Sequence, residues 1–207
     1  MKVANPIDRA MLSRTKARGD GWVFSPTDFL DLGTRHAVDK ALSRMAAAAS
    51  IRRVARGLYD VPRRHPIVGL TAPSVDKVAK AVAGKGGTRL QPTGAYAANL
   101  LGLSDQVPAK VVFLTDGRSK RIRIGKLEIA LKQTSPRIMA TAGRISGLVI
   151  QALRYLGKAH VNEDTVKRLD GKLSADDRKQ LSKDAGYAPA WIGEIMQRLA
   201  AKGIKHG

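Results

Sequence analysis

Residues 21–62 read GWVFSPTDFLDLGTRHAVDKALSRMAAAASIRRVARGLYDVP. Trp22-Val23-Phe24 predicts a short strand, enough to close a small sheet. Ser25-Pro26 predicts a helix start: serine can cap, and proline suits the first turn because its missing N–H has no intrahelical partner there. That helix carries Phe29 and Leu30 inward and stops near Gly33. Thr34 then caps a second helix, in which Val38, Ala41, Leu42 and Met45 fall at i, i+3, i+4 and i+7, one apolar stripe. The opposite face presents Arg35, His36, Asp39, Lys40, Ser43 and Arg44. Ile51, Leu58 and Tyr59 supply strand content around a turn at Gly57, and Arg52, Arg53 and Arg56 decorate the hairpin. Strand, helix, helix and basic hairpin, in that order, predict a winged helix-turn-helix.

Upstream, residues 7–17 place Ile7, Met11 and Leu12 near one face of a further helix. Pro62 and Arg63-Arg64 close the module, which spans residues 1–64. In such a module the second helix enters the major groove of duplex DNA with its N-terminal turn deepest. Thr34, Arg35, His36, Lys40 and Arg44 are therefore the expected groove residues. The hairpin arginines Arg52, Arg53 and Arg56 are expected on backbone phosphates or in the adjacent minor groove. The plainer alternative is a structural or protein-docking winged helix, since an isolated basic helix face is usually only solvated.

Composition agrees with a polyanionic partner. The 207 residues carry a formal net charge of +20, with a pI near 10.8, as expected for a chain that meets nucleic acid, an anionic membrane or an acidic protein. The basic excess runs along the whole chain, so charge alone does not locate the binding surface. Hydrophobic residues make up 43%, enough for a packed core. Aromatics are only 4%, which argues against base-stacking RNA or single-strand platforms. The absence of cysteine excludes disulfides, cysteine nucleophiles and thiolate metal sites, and fits a reducing cytoplasm. The first twenty residues lack the apolar run of a signal peptide. No stretch is apolar for long enough to span a bilayer, so no membrane association is expected.

Residues 65–136 read as mixed α/β. Residues 65–72 form a linker or a strand. A helix starts at Pro73-Ser74 with Val75, Val78, Ala79 and Val82 inward. Gly84-Lys85-Gly86-Gly87 breaks it and fails the phosphate-loop pattern, because Gly86 stands where a Ser or Thr must hold magnesium. Strand-like 88–91, a short helix 95–101, and strands at 111–114, 121–124 and 127–132 predict a small antiparallel sheet beside two helices. Arg118, Lys120, Arg121 and Arg123 would form a second basic surface, either a solvated face or a contact for nucleic acid or an acidic partner. Residues 137–207 read as helical. A helix over 138–156 carries Ile145, Leu148, Val149, Ala152 and Leu156 on one face. Asn162 and Ser174 cap two more, and a last helix buries Ile192, Ile195, Met196 and Leu199. The expected fold class is α+β: the winged module at 1–64, then a domain over 65–207 that ends in helices.

No catalytic pattern stands out. His36, His65, His160 and His206 are far apart and share no metal-ligand spacing with carboxylates. Asp176-Asp177 lacks the Asp-x-Asp spacing of a nucleotidyltransferase and suits the first turn of a helix, where the dipole favours acid. No enzyme, cofactor or metal is expected.

Several of these segments carry a family resemblance. They are Val23-Phe24, Asp31-Leu32-Gly33, Val38 to Arg44, Ile51-Arg52-Arg53 and Arg56-Gly57-Leu58-Tyr59. Together they resemble the N-terminal domain of AbiEi-type antitoxins of type IV toxin–antitoxin systems. The later segment PTGAYAANLLGLSDQVPAKVVFLTDGRSKRIRIG also looks like the antitoxin domain of that family, so the resemblance covers roughly residues 15–135. It implies an antitoxin that represses its own operon by binding inverted repeats in double-stranded operator DNA. It also implies a cognate nucleotidyltransferase-like toxin, counteracted with or without a stable complex. Two rival readings remain: a winged-helix transcriptional regulator with a ligand- or partner-sensing C-terminal domain, and a nucleic-acid-modifying enzyme.

Overall fold

The computed structural model of this chain describes residues 5–84 and 86–202, so Lys85 of the glycine-rich segment and His206 lie outside the described residues. The protein is mixed α+β and ends in a helical region. It divides into two compact units, Met1–Lys85 and Gly86–Gly207.

The first unit runs α1 (Pro6–Arg18), β1 (Val23–Phe24), a 3-10 turn (Pro26–Phe29), α2 (Arg35–Ala47), β2 (Arg52–Ala55), β3 (Leu58–Asp60), β4 (Arg64–His65), β5 (Gly69–Leu70) and α3 (Val75–Ala83). The starts of α1, α2 and the 3-10 turn have a local cause. Asn5 accepts the Ile7 N–H, and Thr34 Oγ1 accepts the Ala37 N–H at 3.3 Å. Asp28 Oδ2 accepts the Ser25 N–H at 2.8 Å in a capping box. β1, β3 and β2 form an antiparallel sheet in that order, with Val23 opposite Asp60 and Arg53 opposite Tyr59. Gly57 turns the β2–β3 hairpin at φ +68°, a left-handed conformation that glycine adopts without a Cβ clash. The stripe of α2 packs as its spacing predicts: Val38, Ala41, Leu42 and Met45 join Met11, Phe24, Phe29, Ile51 and Tyr59 in one core. Phe24 meets Phe29 edge-on at 5.4 Å between ring centroids and stacks on Tyr59 at 6.0 Å.

Two expectations shift in this unit. The first helix after β1 is a single 3-10 turn. The turn ends at Phe29, which is buried, and Leu30 follows it as the C-cap, 45% exposed instead of facing inward. The unit also continues past the expected boundary at 64/65. Thr71 N–H donates to the Arg63 carbonyl at 3.0 Å, and Arg52 Nη2 donates to the Thr71 carbonyl at 2.9 Å. These bonds fold the β4–β5 segment back onto the first sheet region, and α3 follows with Val78 and Ala79 buried.

The second unit runs β6 (Leu90–Thr93), α4 (Gly94–Leu100), β7 (Lys110–Thr115), β8 (Lys120–Ile124), β9 (Leu127–Gln133), α5 (Pro136–Met139), α6 (Ile145–Leu156), α7 (Glu163–Asp170), α8 (Ala175–Asp184) and α9 (Ala190–Lys202). Its sheet has the order β6-β7-β9-β8. It is mixed, not antiparallel throughout: β8 folds to the outer edge, which brings β9 parallel to β7 with Val111 opposite Ile129. The expected helix over 138–156 is two helices. The chain turns after α5 through Gly143 at φ +80° and restarts at α6, where the Gly143 N–H donates to the Gln91 side chain at 3.3 Å. Gly147 of α6 lies against the Thr141 carbonyl and the Gln91 carboxamide, where a Cβ would collide. Asn162 and Ser174 cap α7 and α8 as their positions predict. The helices share a core that includes Val149, Leu153, Leu169, Leu181, Ile192, Met196 and Leu199. Asp184 is buried among Ser146, Gln180 and Arg144, which donate to it; Gln180 Nε2 does so at 2.8 Å and Arg144 Nη1 at 2.9 Å.

Candidate nucleic-acid interface

The buried stripe of α2 fixes which of its residues face water. Thr34, Arg35, His36, Lys40, Ser43 and Arg44 are all exposed. Their electrostatic states differ. Arg35 Nε donates to both oxygens of Asp39, at 2.9 and 3.0 Å, an exposed pair one helical turn apart. Arg44 reaches across to α1, where Nε and Nη2 hold the two oxygens of Asp8 at 2.8 and 2.7 Å. That hydrogen-bonded pair holds the Asp8 carboxyl below the ordinary carboxylate range and raises the Arg44 guanidinium. Arg44 therefore braces α1 against α2.

On the hairpin the three arginines separate. Arg53 and Arg56 are exposed. Arg52 lies one residue from Arg53 along the strand and so on the opposite face. Its Nε and Nη2 grip Asp60 at 3.0 and 2.6 Å, and Asp60 is 1% exposed. The hydrogen bonds to Asp60 outweigh burial and raise the Arg52 pKa. Arg52 is thus tied to the frame of the hairpin, while Arg53 and Arg56 project from it. Arg14 has a similar internal job on α1: it donates to the Asp31 carboxylate and the Asp28 carbonyl, and lies 5.5 Å from the Phe29 ring centroid.

The second basic surface regroups. Paired residues share a face of the sheet, so Arg121, opposite Ala130, and Arg123, opposite Glu128, lie on one face with Lys110 and Lys132. Lys120 belongs to the other face by strand alternation, and Arg118 lies in the turn before β8. At the centre of the basic face stands Glu128, 3.0 Å from Lys110 and 3.8 Å from Arg123. The Lys110 hydrogen bond, aided by the charges of Arg121 and Arg123, holds its carboxyl below the ordinary value. Lys110 and Lys132 escape a reading of local sequence because only the pairing register of β7, β8 and β9 shows which of their side chains share a face. Asp60 escapes it for the same reason, although its alignment with Arg52 follows once the hairpin register is known.

Among the described residues, no three His, Asp or Glu side chains gather as a metal site, and no helix is long and apolar enough to cross a membrane. Residues 10–181 match the family model of DUF6088, described as a family of unknown function, and the chain belongs to that family. No curated protein matches it.

Proposed function

We propose that this member of DUF6088 is a winged helix-turn-helix protein that binds duplex DNA, represses its own operon, and acts as the antitoxin of a nucleotidyltransferase-like toxin. One observation carries the DNA-binding part. The exposed row Thr34, Arg35, His36 and Lys40 belongs to a helix whose other side is locked into the core, and the same unit holds a hairpin projecting Arg53 and Arg56. Arg35 can trade its exposed pair with Asp39, worth about 0.3–0.5 kcal/mol, for a bidentate contact to a guanine edge. Arg53 and Arg56 supply phosphate contacts that carry affinity without sequence. Arg44 and Arg52 position these elements through Asp8 and Asp60.

The toxin-directed part rests on the resemblance of residues 15–135 to AbiEi-type antitoxins. In this reading the second unit neutralises the toxin, no catalytic step or cofactor is involved, and the protein works in the cytoplasm.

Two experiments test the two parts separately. Selection of bound duplexes from a random pool by the full chain should enrich an inverted repeat; an unenriched pool counts against base readout. Co-expression with the product of the neighbouring gene should restore growth that this product arrests. A neighbour that is not toxic, or one that stays toxic in the presence of the full chain, removes the antitoxin reading and leaves a DNA-binding regulator.

A further inference from the structure

The β4–β5 hairpin has no part in the helix-and-wing surface, yet it carries the most exposed large aliphatics of the first unit. Arg64 pairs with Leu70 and His65 with Gly69, which leaves Pro66-Ile67-Val68 as a three-residue loop. Gly69, at φ +71°, takes the left-handed position that closes such loops. His65 Nδ1 accepts the Ile67 N–H at 3.3 Å and braces the turn. The result is a tip with Ile67 87%, Val68 69% and Leu70 52% exposed.

The stem under this tip is held and cationic. Thr71 N–H and Oγ1 donate to the Arg63 carbonyl at 3.0 and 3.2 Å. Arg52 Nη2 donates to the Thr71 carbonyl while the same guanidinium grips Asp60. One side chain thus fixes the β4–β5 stem to the β2–β3 hairpin. Arg63, Arg64 and His65 are exposed on the stem and Arg53 on the neighbouring strand. A cavity of about 560 Å³ lies between the end of α2, β2 and the stem, with Ala46, Ala49, Arg53, Arg64 and Leu70 in its lining and Asp20 as an acid on its wall.

An apolar tip on a basic stem fits a partner that offers phosphates outside and apolar surface a few ångströms further in. Duplex DNA does both: side chains such as Ile and Leu can wedge between base pairs from the minor groove and kink the helix, while cations hold the flanking phosphates. A second copy of the chain would bring the same arginines against themselves, and three aliphatic side chains offer little area to a membrane. We propose that the β4–β5 hairpin is a DNA wedge. Ile67 and Val68 enter a base step, and Arg63 and Arg64 hold the phosphates beside it. The proposal rests on the DNA-binding reading above.

The test uses the full chain and an end-labelled duplex of the DNA immediately upstream of its gene, with energy transfer between the ends as the measure of bending. The wild type should bind and shorten the end-to-end distance. Ile67→Ser/Val68→Ser should still bind, with about a tenfold loss, and leave the bound duplex at its free length. Arg53→Ala should lose affinity while its complex keeps the bend. Wild-type binding without bending, or a bend that survives Ile67→Ser/Val68→Ser, overturns the wedge and leaves DNA binding standing. No binding by the wild type to any duplex removes the parent reading and the wedge with it. A wild-type dimer in sedimentation that the double variant converts to monomer assigns the tip to a second copy, and overturns the proposal.

Discussion

Arg52 is the residue whose role differs most from its appearance. Along the chain it is one of three wing arginines; in the fold, it neutralises a buried Asp60 and holds the Thr71 carbonyl. Removing one partner of such a pair strands a buried charge. Arg52→Ala should therefore lower unfolding stability by about 3 kcal/mol, measured by chemical denaturation. Arg53→Ala and Arg56→Ala should stay within about 0.5 kcal/mol and instead weaken DNA binding across all sequences. Ala49 is a second such residue. It sits at φ +53°, in the left-handed region, where Ser50 N–H donates back to the Met45 carbonyl at 3.0 Å to close α2. Glycine is the residue that suits this closing position, so Ala49→Gly should stabilise the protein by about 0.5–1 kcal/mol.

Asp184 gives a pH prediction at the same scale. Burial pushes its carboxyl up, but hydrogen bonds from Ser146, Gln180 and Arg144 outweigh burial and hold it below the ordinary value. A depressed folded pKa means the unfolded chain takes up the proton first. The stability it contributes is present above about pH 4 and is lost as pH falls through the folded value. Asp184→Asn should cost about 1–3 kcal/mol at neutral pH and flatten the acid limb of a pH–stability curve.

At the scale of elements, α2 was legible because its information is local: a capping threonine and four apolar residues at helical spacing. The β2–β3 hairpin was legible for the same reason, with Gly57 between strand-forming residues. What escaped depends on which elements pair and in what register. The parallel pairing of β7 with β9 follows from β8 taking the edge, the break before α6 turns through Gly143, whose N–H donates to the Gln91 side chain, and within α6 Gly147 meets the Thr141 carbonyl and that same side chain. That approach leaves no room for a methyl group, so Gly147→Ala should cost about 1–3 kcal/mol in the second unit, against almost nothing at the exposed Gly186. In the candidate interface, the exposed row of α2 was readable from periodicity. The division of the hairpin arginines into one anchor and two projecting cations needed the register. The β4–β5 tip went unread because Pro66 and Gly69 mark a turn without saying that Ile67 and Val68 are left outside.

At the scale of the molecule, the charge of +20 is the broadest constraint, and it is distributed over both units. In the DNA-binding reading, the first unit reads sequence through Arg35, His36 and Lys40, while general affinity comes from cations such as Arg53 and Arg56. Charge of this kind acts by displacing counterions, so each phosphate contact removed should shallow the dependence of log affinity on log salt by about one unit. The basic sheet face of Lys110, Arg121, Arg123 and Lys132 lies in the second unit and is open to the same assay. Sequence-specific DNA binding is tested most directly by equilibrium binding of the full chain to two duplexes at matched salt: the DNA upstream of its gene and a scramble of equal length and composition. The upstream duplex should bind at least about a thousandfold more tightly, an advantage that Arg35→Ala reduces by about 1–3 kcal/mol. Equal affinity for the two duplexes would contradict base readout by α2.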